Sequence, residues 1–467
     1  MSVPRFEIIQ GDEHLTSHSG LALIGALLDR SGLRERCDAV VGAIPVREGF
    51  TLGDLSRVMT GLICLGKPDF DAVEVQRDQP FFAQSLGVST CPSAPTLRQR
   101  LQDAQSSLDE AVRASSLAVI RRTAPAITGV RTPKHGDLVP VEMDVVVFDN
   151  SHTKKEGLGY TYQKCMGFAP IFSHVGTEGY LVNAELRTGN KHSQSETTPD
   201  FLRASLAAAK DLVGLDASGQ PRPLALRVDA GFDSQVNITT CIAAGVRFVV
   251  ARNRRLESSE SWLETAQKHG RATEVRPGKI VWTGETTRSV AGASRRVVFE
   301  VIERTTKRIG KTDNFQELLM AEIEVETFWT DLSDSPEDVV EFYHGRGTSE
   351  QFHSEMKNDL CLERLPSNSF ATNQLILLLG MLAYNLLRLT GQEALRDDAG
   401  TPPEAKPPLR KAVKRRRVRS VMDDLIRLAA RIIRSGRRWR LAFGRHAPWA
   451  GTWARVYRSF MTPLPSH

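Results

Sequence analysis

The chain has 467 residues, of which 41% are hydrophobic and 25% charged, and its formal net charge is +6. This length and composition predict a folded, soluble protein of two or three domains and exclude a globally disordered chain. The N-terminus has no basic and then apolar leader, and the longest apolar run, Leu375–Leu387, is too short and too interrupted to span a bilayer. Six scattered cysteines form no CxxC pair, which argues against a disulfide framework or a zinc site. We therefore expect a cytoplasmic protein with no membrane partner.

The N-terminal part, residues 1–135, is expected to be a helical domain. Apolar residues recur at helical spacing in Leu21–Leu28 and in Leu52–Leu65. The prolines and glycines of residues 124–137 then indicate a linker. A second domain is therefore predicted to begin at about residue 136.

One stretch of this helical domain resembles a helix-turn-helix. Pro80–Leu101 combines a short helix, a glycine stop and a second helix, with these candidate turn, capping and contact residues: Gly87, Ser93, Thr96, Arg98 and Arg100. The same pattern is common in proteins that never touch DNA. We interpret residues 1–135 as a DNA-binding domain, with simple helix packing as the alternative.

Residues 136–398 are expected to form an α/β domain. Strands are predicted at residues 139–148, 169–175, 180–187, 223–228 and 246–251, and helices at residues 198–213 and 235–244. The element order is βββαβαβ, which predicts a mixed sheet. Asp144 lies in the first strand with Glu142 on the same face, and Asp229 follows the fourth strand at a glycine turn. On local sequence alone, each aspartate is equally explained as a hydrogen-bonded strand-end or turn residue.

A long connection follows the last of these strands. Residues 279–283, 296–303 and 318–328 alternate as strands. We therefore predict a β-subdomain inserted at about residues 253–332.

The next stretch, Phe342–Leu360, is predicted to be one α-helix, and we call it the signature segment. At about 100° per residue, four of its residues fall within an arc of roughly 60°: Tyr343, Arg346, Glu350 and Lys357. This face sets a carboxylate between two cations, with a phenol at one end, which suits a phosphodiester backbone and a metal ion. The alternative is a solvated face with ion pairs between successive turns.

The last part, residues 399–467, is basic. Residues 406–445 contain fifteen Lys or Arg and two Asp, a net +13, which leaves −7 for the remainder of the chain. Such a block is typical of contact with nucleic acid, because released counterions favour association; a segment that only improves solubility is the alternative. Its aliphatic residues recur at helical spacing and predict a basic amphipathic helix: Leu425, Leu428, Ile432 and Ile433. Residues 437–443 are compatible with a further strand.

The four residues on the polar face of the signature segment reproduce the spacing Y-x2-R-x3-E-x6-K. By this spacing, residues 140–395 resemble bacterial insertion-sequence transposases with an RNase H-like DDE catalytic domain. The resemblance implies an RNase H-like mixed sheet and a catalytic triad of Asp144, Asp229 and Glu350. It also implies that the triad holds two Mg²⁺ ions, for which Mn²⁺ can substitute. Because Glu142 shares the strand and face of Asp144, the two could exchange roles.

The resemblance implies, in addition, how DNA is bound. Tyr343, Arg346 and Lys357 would hold phosphates near the element end, and Trp329 would receive a flipped base, with Trp282 or simple core packing as alternatives. The implied partners are double-stranded DNA, as terminal inverted repeats and target, and a second copy of the chain in the synaptic complex. The implied function is cut-and-paste transposition in the cytoplasm, at the nucleoid. A nuclease that does not join DNA and a catalytically silent DNA-binding protein are the alternatives.

Overall fold

The structure is a computed structural model that describes the chain with gaps. The described residues are 5–40, 49–290, 292–309, 314–396, 408–409, 413–436 and 438–462. Contacts divide the chain into two compact units, of which one, here the terminal unit, comprises Met1–Thr123, Asp359–Cys361 and Leu382–His467. The other, here the sheet unit, comprises Ala124–Asn358 and Leu362–Met381. The C-terminal segment that the sequence set apart thus belongs to the same unit as the N-terminal helices.

The described elements are numbered in chain order. The helices are α1 (Leu21–Ser31), α2 (Leu33–Asp38), α3 (Leu52–Cys64), α4 (Glu74–Arg77), α5 (Pro80–Ser85), α6 (Ala94–Ala104), α7 (Asp109–Thr123), α8 (Thr198–Val213), α9 (Gln235–Ala243), α10 (Ser259–His269), α11 (Pro336–His344), α12 (Ser349–Ser354), α13 (Phe370–Ala394), α14 (Val418–Val421) and α15 (Ala450–Met461). The strands are β1 (Leu15–Thr16), β2 (Val130–Thr132), β3 (Gly136–Val145), β4 (Phe148–Asp149), β5 (Gly159–Tyr160), β6 (Met166–Phe168), β7 (Ile171–Val175), β8 (Tyr180–Glu185), β9 (Leu224–Val228), β10 (Arg247–Ala251), β11 (Gly270–Arg276), β12 (Lys279–Val290), β13 (Ala293–Arg308), β14 (Phe315–Thr330), β15 (Ala430–Ser435) and β16 (Arg438–Phe443).

The strands predicted for the α/β domain are confirmed, with their ends shifted by a few residues. They lie in one sheet in the order β8-β7-β3-β9-β10. β3 is antiparallel to β7 and parallel to β9, and β9 is parallel to β10. Because α8 and α9 precede β9 and β10, the main elements follow the predicted order βββαβαβ. The sheet unit is therefore an α/β structure with a large mixed sheet.

The centre of this sheet is buried on both faces. Every residue of β7 and of β9 is buried, and so are six consecutive residues of β3. Such strands are rich in aliphatic residues because helices cover both sides of the sheet where strands run parallel. One of these helices is α8, which packs on β8 and β3 and buries Phe201, Leu202 and Leu206. A polar side chain in these strands therefore requires a partner.

The predicted insertion differs from a separate β-subdomain. Strands β11 to β14 continue the same sheet past β10, and β14 pairs antiparallel with β10, with Trp329 opposite Val250. The insertion is therefore an extension of the sheet. It also contains α10, which the sequence analysis missed. This helix buries Trp262, whose Nε1 donates to Glu257 Oε2 at 2.8 Å.

The signature segment is not one α-helix, as was predicted. Between α11 and α12, Gly345–Thr348 form a 3₁₀ turn, and after α12, Glu355–Asp359 form a π-helical turn. The winding changes at the two glycines around Arg346, where helix propensity is lowest. The four residues of the Y-x2-R-x3-E-x6-K spacing therefore do not share one α-helical face. The apolar side is buried as predicted: Phe342, Phe352, Met356 and Leu360.

Helix α11 begins at a strong local signal. Ser335 Oγ accepts a hydrogen bond from the backbone N of Asp338 at 3.2 Å, and Pro336 occupies the first turn. Apolar residues of α11 join a buried cluster with residues of the sheet: Leu138, Ala225, Val249, Val298, Phe328, Leu332, Val339, Val340 and Phe342. This packing holds the end of α11 against the centre of the sheet.

Helix α13 extends beyond the apolar run Leu375–Leu387 at both ends. Among the described residues it is the one helix long and apolar enough to cross a membrane, but 83% of its apolar window is buried inside the protein. That degree of burial is typical of a core helix. Asn385, buried in this helix, donates a hydrogen bond from Nδ2 to Ser116 Oγ at 2.9 Å.

The helix-turn-helix pattern of the terminal unit is present. α5 ends just before Gly87, which has a φ of 69°, and α6 begins after its N-cap, Ser93. Of the two candidate contact residues, Arg100 is 7% exposed and Arg98 binds Asp71 Oδ1 at 2.8 Å. The pair of helices therefore does not present both arginines to a ligand.

The basic amphipathic helix predicted around Leu425 to Ile433 is only partly present. Leu425 lies in a π-helical turn, Met422–Ile426, that follows α14, but from Ala430 the chain forms the hairpin β15–β16, and β1 pairs with β15. The β-branched pair Ile432 and Ile433 favours a strand, and Gly436 adopts a φ of 59° at the turn. The strand expected at residues 437–443 agrees with β16, although Arg437 itself lies outside the described residues.

Candidate active site

Strands β3 and β9 place two aspartates side by side. The strands are parallel, with Glu142 opposite Arg227. Asp144 and Asp229 each follow one of these partners by two residues. The two aspartates therefore lie opposite each other on neighbouring strands, with their backbones about 5 Å apart. Both lie where their strands end, at the carboxyl edge of the sheet. This is the edge at which open α/β sheets bind ligands.

Asp229 caps the 3₁₀ turn Ala230–Phe232. Its Oδ1 accepts a hydrogen bond from the backbone N of Gly231 at 3.0 Å. Burial raises the pKa of the Asp229 carboxyl, and the neighbouring charge of Asp144 raises it further. A carboxylate has about four acceptor positions, so this turn bond still leaves capacity for a metal ion. The turn role and the ligand role of Asp229 are thus compatible.

Asp144 is held by its own strand and by the signature segment. Its Oδ1 accepts from the backbone N of Val145 at 2.8 Å, and its Oδ2 accepts from Arg346 Nη2 at 2.7 Å. Burial raises the pKa of the Asp144 carboxyl, Arg346 opposes this shift, and the charge of Glu350 adds to it. Two desolvated carboxylates side by side repel each other, so a bound cation would stabilise them.

The structure brings the third residue of the predicted triad to the same region. Glu350 lies in the first turn of α12, is exposed, and is close enough for its charge to act on both Asp144 and His353. Arg346, four residues earlier in the 3₁₀ turn, is only 14% exposed. The three predicted ligands thus offer carboxylate oxygens alone, which is the donor set of a hard divalent cation such as Mg²⁺.

The two outer residues of the spacing make different contacts. The ring of Tyr343 packs on Phe328 with centroids 4.5 Å apart, and burial raises the pKa of its hydroxyl to about 12. Tyr343 is therefore a neutral hydrogen-bond donor. Lys357 Nζ donates to the carbonyl of Val147 at 2.9 Å and pairs with Glu363 Oε1 at 2.9 Å. Lys357 thereby ties the signature segment to the chain that follows β3.

Trp329 is enclosed by its neighbours. Its side chain is 5% exposed, its Nε1 donates to Asp233 Oδ1 at 2.9 Å, and the Arg252 guanidinium lies 4.8 Å from its ring centroid. Stacking of a flipped base on this ring stays a prediction, and it requires Arg252 to move away first.

Glu142 occupies a different environment from Asp144. Its side chain is 5% exposed and forms an ion pair with Arg227, which is 3% exposed. Burial raises the pKa of the Glu142 carboxyl, and Arg227 opposes this shift. Glu142 lies inside the protein, whereas Asp144 lies at the edge of the sheet. This arrangement favours Asp144 over Glu142 as the metal ligand on β3.

Two further residues lie near the aspartates: His353, which the sequence offers as a polar surface group or as support for the ligands, and Tyr162, which sequence reasoning missed. His353 Nδ1 lies 3.7 Å from Asp144 Oδ2, and burial lowers the pKa of His353 to about 3, so its imidazole is neutral. Partial burial and the charges of Asp144 and Asp229 raise the pKa of Tyr162, whose hydroxyl lies 3.4 Å from the last carbonyl of β3. The i+3 spacing from Glu350 could have indicated His353. Nothing in the local pattern marks Tyr162.

A second group of potential ligands includes none of the three predicted carboxylates. Oxygens of Glu300 and Glu326 and a nitrogen of His344 lie within 4.8 Å of one another. His344 and Glu326 already form a contact of 2.8 Å, and the side chains are exposed or half-exposed. Exposed acidic groups of this kind are common without an ion, so we assign no metal site to them.

Comparison with known protein families identifies the family of this chain. The sequence profile of the family described as transposase DDE domain group 1 matches residues 7–462. No curated protein matches the chain. The profile covers the terminal unit as well as the sheet unit, and so extends well beyond the signature segment and its two aspartates. The chain therefore belongs to the DDE transposase family, and it is an enzyme of the polynucleotidyl transferase and endonuclease class.

Proposed function

We propose that this transposase cuts the ends of its own insertion sequence and joins them to target DNA, with Asp144, Asp229 and Glu350 as its catalytic carboxylates. One observation carries the proposal. The two aspartates lie opposite each other at the ends of two parallel strands, and Arg346 of the signature segment binds Asp144. The sheet order, with the first long strand between the second and the fourth, supports an RNase H-like core.

We assign two Mg²⁺ ions, or Mn²⁺ in their place, to these three carboxylates. When bound, such ions supply Lewis-acid activation of the attacking and leaving oxygens in an in-line phosphoryl transfer. The desolvated aspartates support the assignment, because a raised carboxyl pKa means that the charged form lacks compensation within the protein alone.

The cationic and phenolic residues of the signature segment would contact phosphates. The guanidinium of Arg346 can pass from the Asp144 carboxylate to a phosphate oxygen, because its planar fork suits both groups. Tyr343 stays protonated and can donate a hydrogen bond to a phosphate. Lys357 must first release Glu363, so we expect it to contribute less than Arg346.

In the terminal unit we place DNA contacts on the hairpin β15–β16. Strand alternation puts Arg431, Arg438 and Arg440 on one face, and all three are exposed. Arg416 and Arg417, in the same basic block, pair with acids instead. Phosphate contacts on the hairpin would give binding that depends strongly on salt.

The salt dependence of DNA binding distinguishes phosphate contacts by the hairpin arginines from a role in solubility alone. For Arg438→Ser and Arg440→Ser, we expect the slope of log affinity against log salt to fall by about 1 for each phosphate contact that the substitution removes. Arg427→Ser is the matched control, because Arg427 is paired with Asp423 in the same block. Unchanged slopes in both hairpin variants would leave the arginines a solubilising role only.

The catalytic proposal is tested with linear DNA that carries the two ends of the insertion sequence. We expect Mg²⁺-dependent cleavage, covalent joining to target DNA, and a complex that contains two protein chains. Cleavage without joining would identify a nuclease, and binding without cleavage a catalytically silent DNA-binding protein. Asp149→Asn is a suitable control, because Asp149 accepts hydrogen bonds within an exposed turn after β3.

A further inference from the structure

A buried ion pair lies directly below the two aspartates of the proposed site. Glu142 and Arg227 are register partners on the parallel strands β3 and β9. Each precedes a triad aspartate by two residues, so the ion pair and the aspartates occupy the same face of the sheet at successive levels. The Arg227 and Glu142 side chains are 3% and 5% exposed. The pair thus lies in the buried layer of side chains next to the proposed site.

Arg227 also binds the signature segment. Its Nη1 donates to the carbonyl of Phe342 at 2.7 Å, and its guanidinium lies 5.0 Å from the Phe342 ring centroid. Phe342 is in the last turn of α11, where carbonyls have no partner within the helix. A Cβ on Gly345 would come within 2.8 Å of the same Nη1, so the glycine allows this close approach. The contact falls four residues before Arg346 and eight before Glu350.

We propose that the Glu142–Arg227 pair is a positioning device that sets where the signature segment meets Asp144 and Asp229. Glu142 orients the guanidinium, and the guanidinium fixes the end of α11 from which Arg346 and Glu350 follow. The inference rests on the function proposed above. Buried ion pairs are often no better for stability than apolar residues of similar volume. The effect of the pair on the geometry of the site can therefore be measured separately from its effect on the stability of the fold.

The test replaces the whole pair, because removing one partner would leave the other charge buried and destabilise the fold. In the double variant Glu142→Leu/Arg227→Met we expect a thermal midpoint within about 4 °C of the wild type. We expect the cleavage rate on saturating end DNA to fall about 10- to 100-fold, since a displacement of about 1 Å in a site has effects of this size. The KM for DNA should change less than the rate.

A second readout does not depend on catalysis. Mn²⁺ binding to the DNA-free protein, measured by calorimetry, should weaken in the double variant because Glu350 no longer meets the aspartates correctly. Arg227→Lys provides a variant that keeps the buried charge balanced, yet a single ammonium cannot reproduce the fork between Glu142 and the Phe342 carbonyl. We expect this variant to fold and to show the same defects.

The chain offers a matched control on the same two strands. Arg222, just before β9, pairs with Asp137 of β3 at 2.9 Å, at the opposite end from the aspartates. Asp137→Leu/Arg222→Met should leave the cleavage rate and Mn²⁺ affinity unchanged. Wild-type cleavage and Mn²⁺ affinity in folded Glu142→Leu/Arg227→Met or Arg227→Lys protein would overturn the positioning role. The proposed function itself would fail differently, through absence of cleavage by the wild-type protein.

Discussion

Two carboxylates of the inner half of the sheet, Asp144 and Asp229, differ in their electrostatics from Glu324 of the outer half. In the inner half, β8-β7-β3-β9-β10, burial raises the pKa of both Asp144 and Asp229. In the outer half, β14-β13-β12-β11, Glu324 is exposed and its hydrogen bond with Arg304 lowers its pKa. Burial thus disfavours the charged form of the two aspartates, which an added cation would stabilise, whereas the ion pair with Arg304 already stabilises the charge of Glu324.

The difference comes from what covers each half. Inner strands such as β9 are buried along their whole length, whereas β14 is exposed or half-buried up to Glu326 and leaves Leu319 and Met320 largely or fully exposed. Acids are frequent in the outer half, and Glu300 even lies opposite Glu326 across β13 and β14. Position in the sheet, more than the number of acids in a stretch, therefore marks the candidate site.

The largest expected effect is the loss of catalysis in the inner half. Asp144→Asn, Asp229→Asn and Glu350→Gln should each lower Mg²⁺-dependent cleavage by about 10³-fold or more, because a metal ligand worth several kcal/mol of stabilisation is removed. DNA binding should change little. Glu324→Gln in the outer half should cleave normally, and a comparable loss in that variant would break the distinction between the halves.

A smaller effect is expected at the residue that neutralises Asp144. Arg346→Ala should reduce end cleavage by about 10- to 100-fold, because the substitution removes a charge-assisted hydrogen bond worth about 1.5–3 kcal/mol. Arg346→Lys should recover part of the activity, since an ammonium supplies charge without the planar fork. The assay is run across Mg²⁺ concentrations. A defect that excess Mg²⁺ cures would assign Arg346 to the metal site and contradict its role in binding phosphate.

Stability of the metal-free protein should depend on pH in opposite directions in the two halves. The folded-state pKa of Asp229 is raised, so the folded protein binds a proton more readily than the unfolded chain, and this contribution to stability is lost as pH rises. Asp229→Asn should thus raise the thermal midpoint at neutral pH. The gain should develop from about pH 4, the ordinary Asp value, up to the raised folded-state pKa.

Glu324→Gln supplies the contrast for the same measurement. Its folded-state pKa is lowered, so its contribution is present at neutral pH and is lost as the solution is acidified. Removing the charge should therefore lower the midpoint slightly at neutral pH and have no effect in acid. The same sign of shift in both variants would contradict the electrostatic difference between the halves.

The smallest effect is expected at exposed apolar residues of the outer half. Leu319→Ala should change the unfolding free energy by no more than about 0.5 kcal/mol, as is usual for surface positions. The matched change in the inner half, Leu226→Ala, removes a fully buried side chain and should lower it by about 2–5 kcal/mol. Denaturant unfolding measures both. Equal losses of unfolding free energy in the two variants would mean that Leu319 is buried against another surface in solution.

Much of the fold could be predicted because the inner strands are mostly apolar runs bounded by turn residues and α8 has a clear helical period. The two aspartates followed from strand order, since parallel neighbours bring their carboxyl ends together. The change of winding at Gly345–Thr348 could not be predicted from period alone, because two glycines and tertiary contacts decide it. Ile432 and Ile433 fit a helical spacing equally well, and only pairing with β16 and β1 made them a strand.

Within the site, the residues that escaped prediction act through long-range contacts. By sequence alone Arg227 is an ordinary cation in a strand, and its role emerges only with Glu142 and the Phe342 carbonyl around it. His353 and Tyr162 reach the aspartates from separate segments. Such contacts join residues far apart in the chain, and periodicity within one segment does not predict them.

The central claim is that Asp144 and Asp229 form the metal-holding edge of this transposase. Anomalous scattering from crystals soaked in Mn²⁺, grown with end DNA, tests it most directly. We predict manganese peaks about 2 Å from carboxylate oxygens of both aspartates. Peaks confined to the cluster of Glu300, Glu326 and His344 would contradict the claim, and so would a map with no manganese at the edge of β3 and β9.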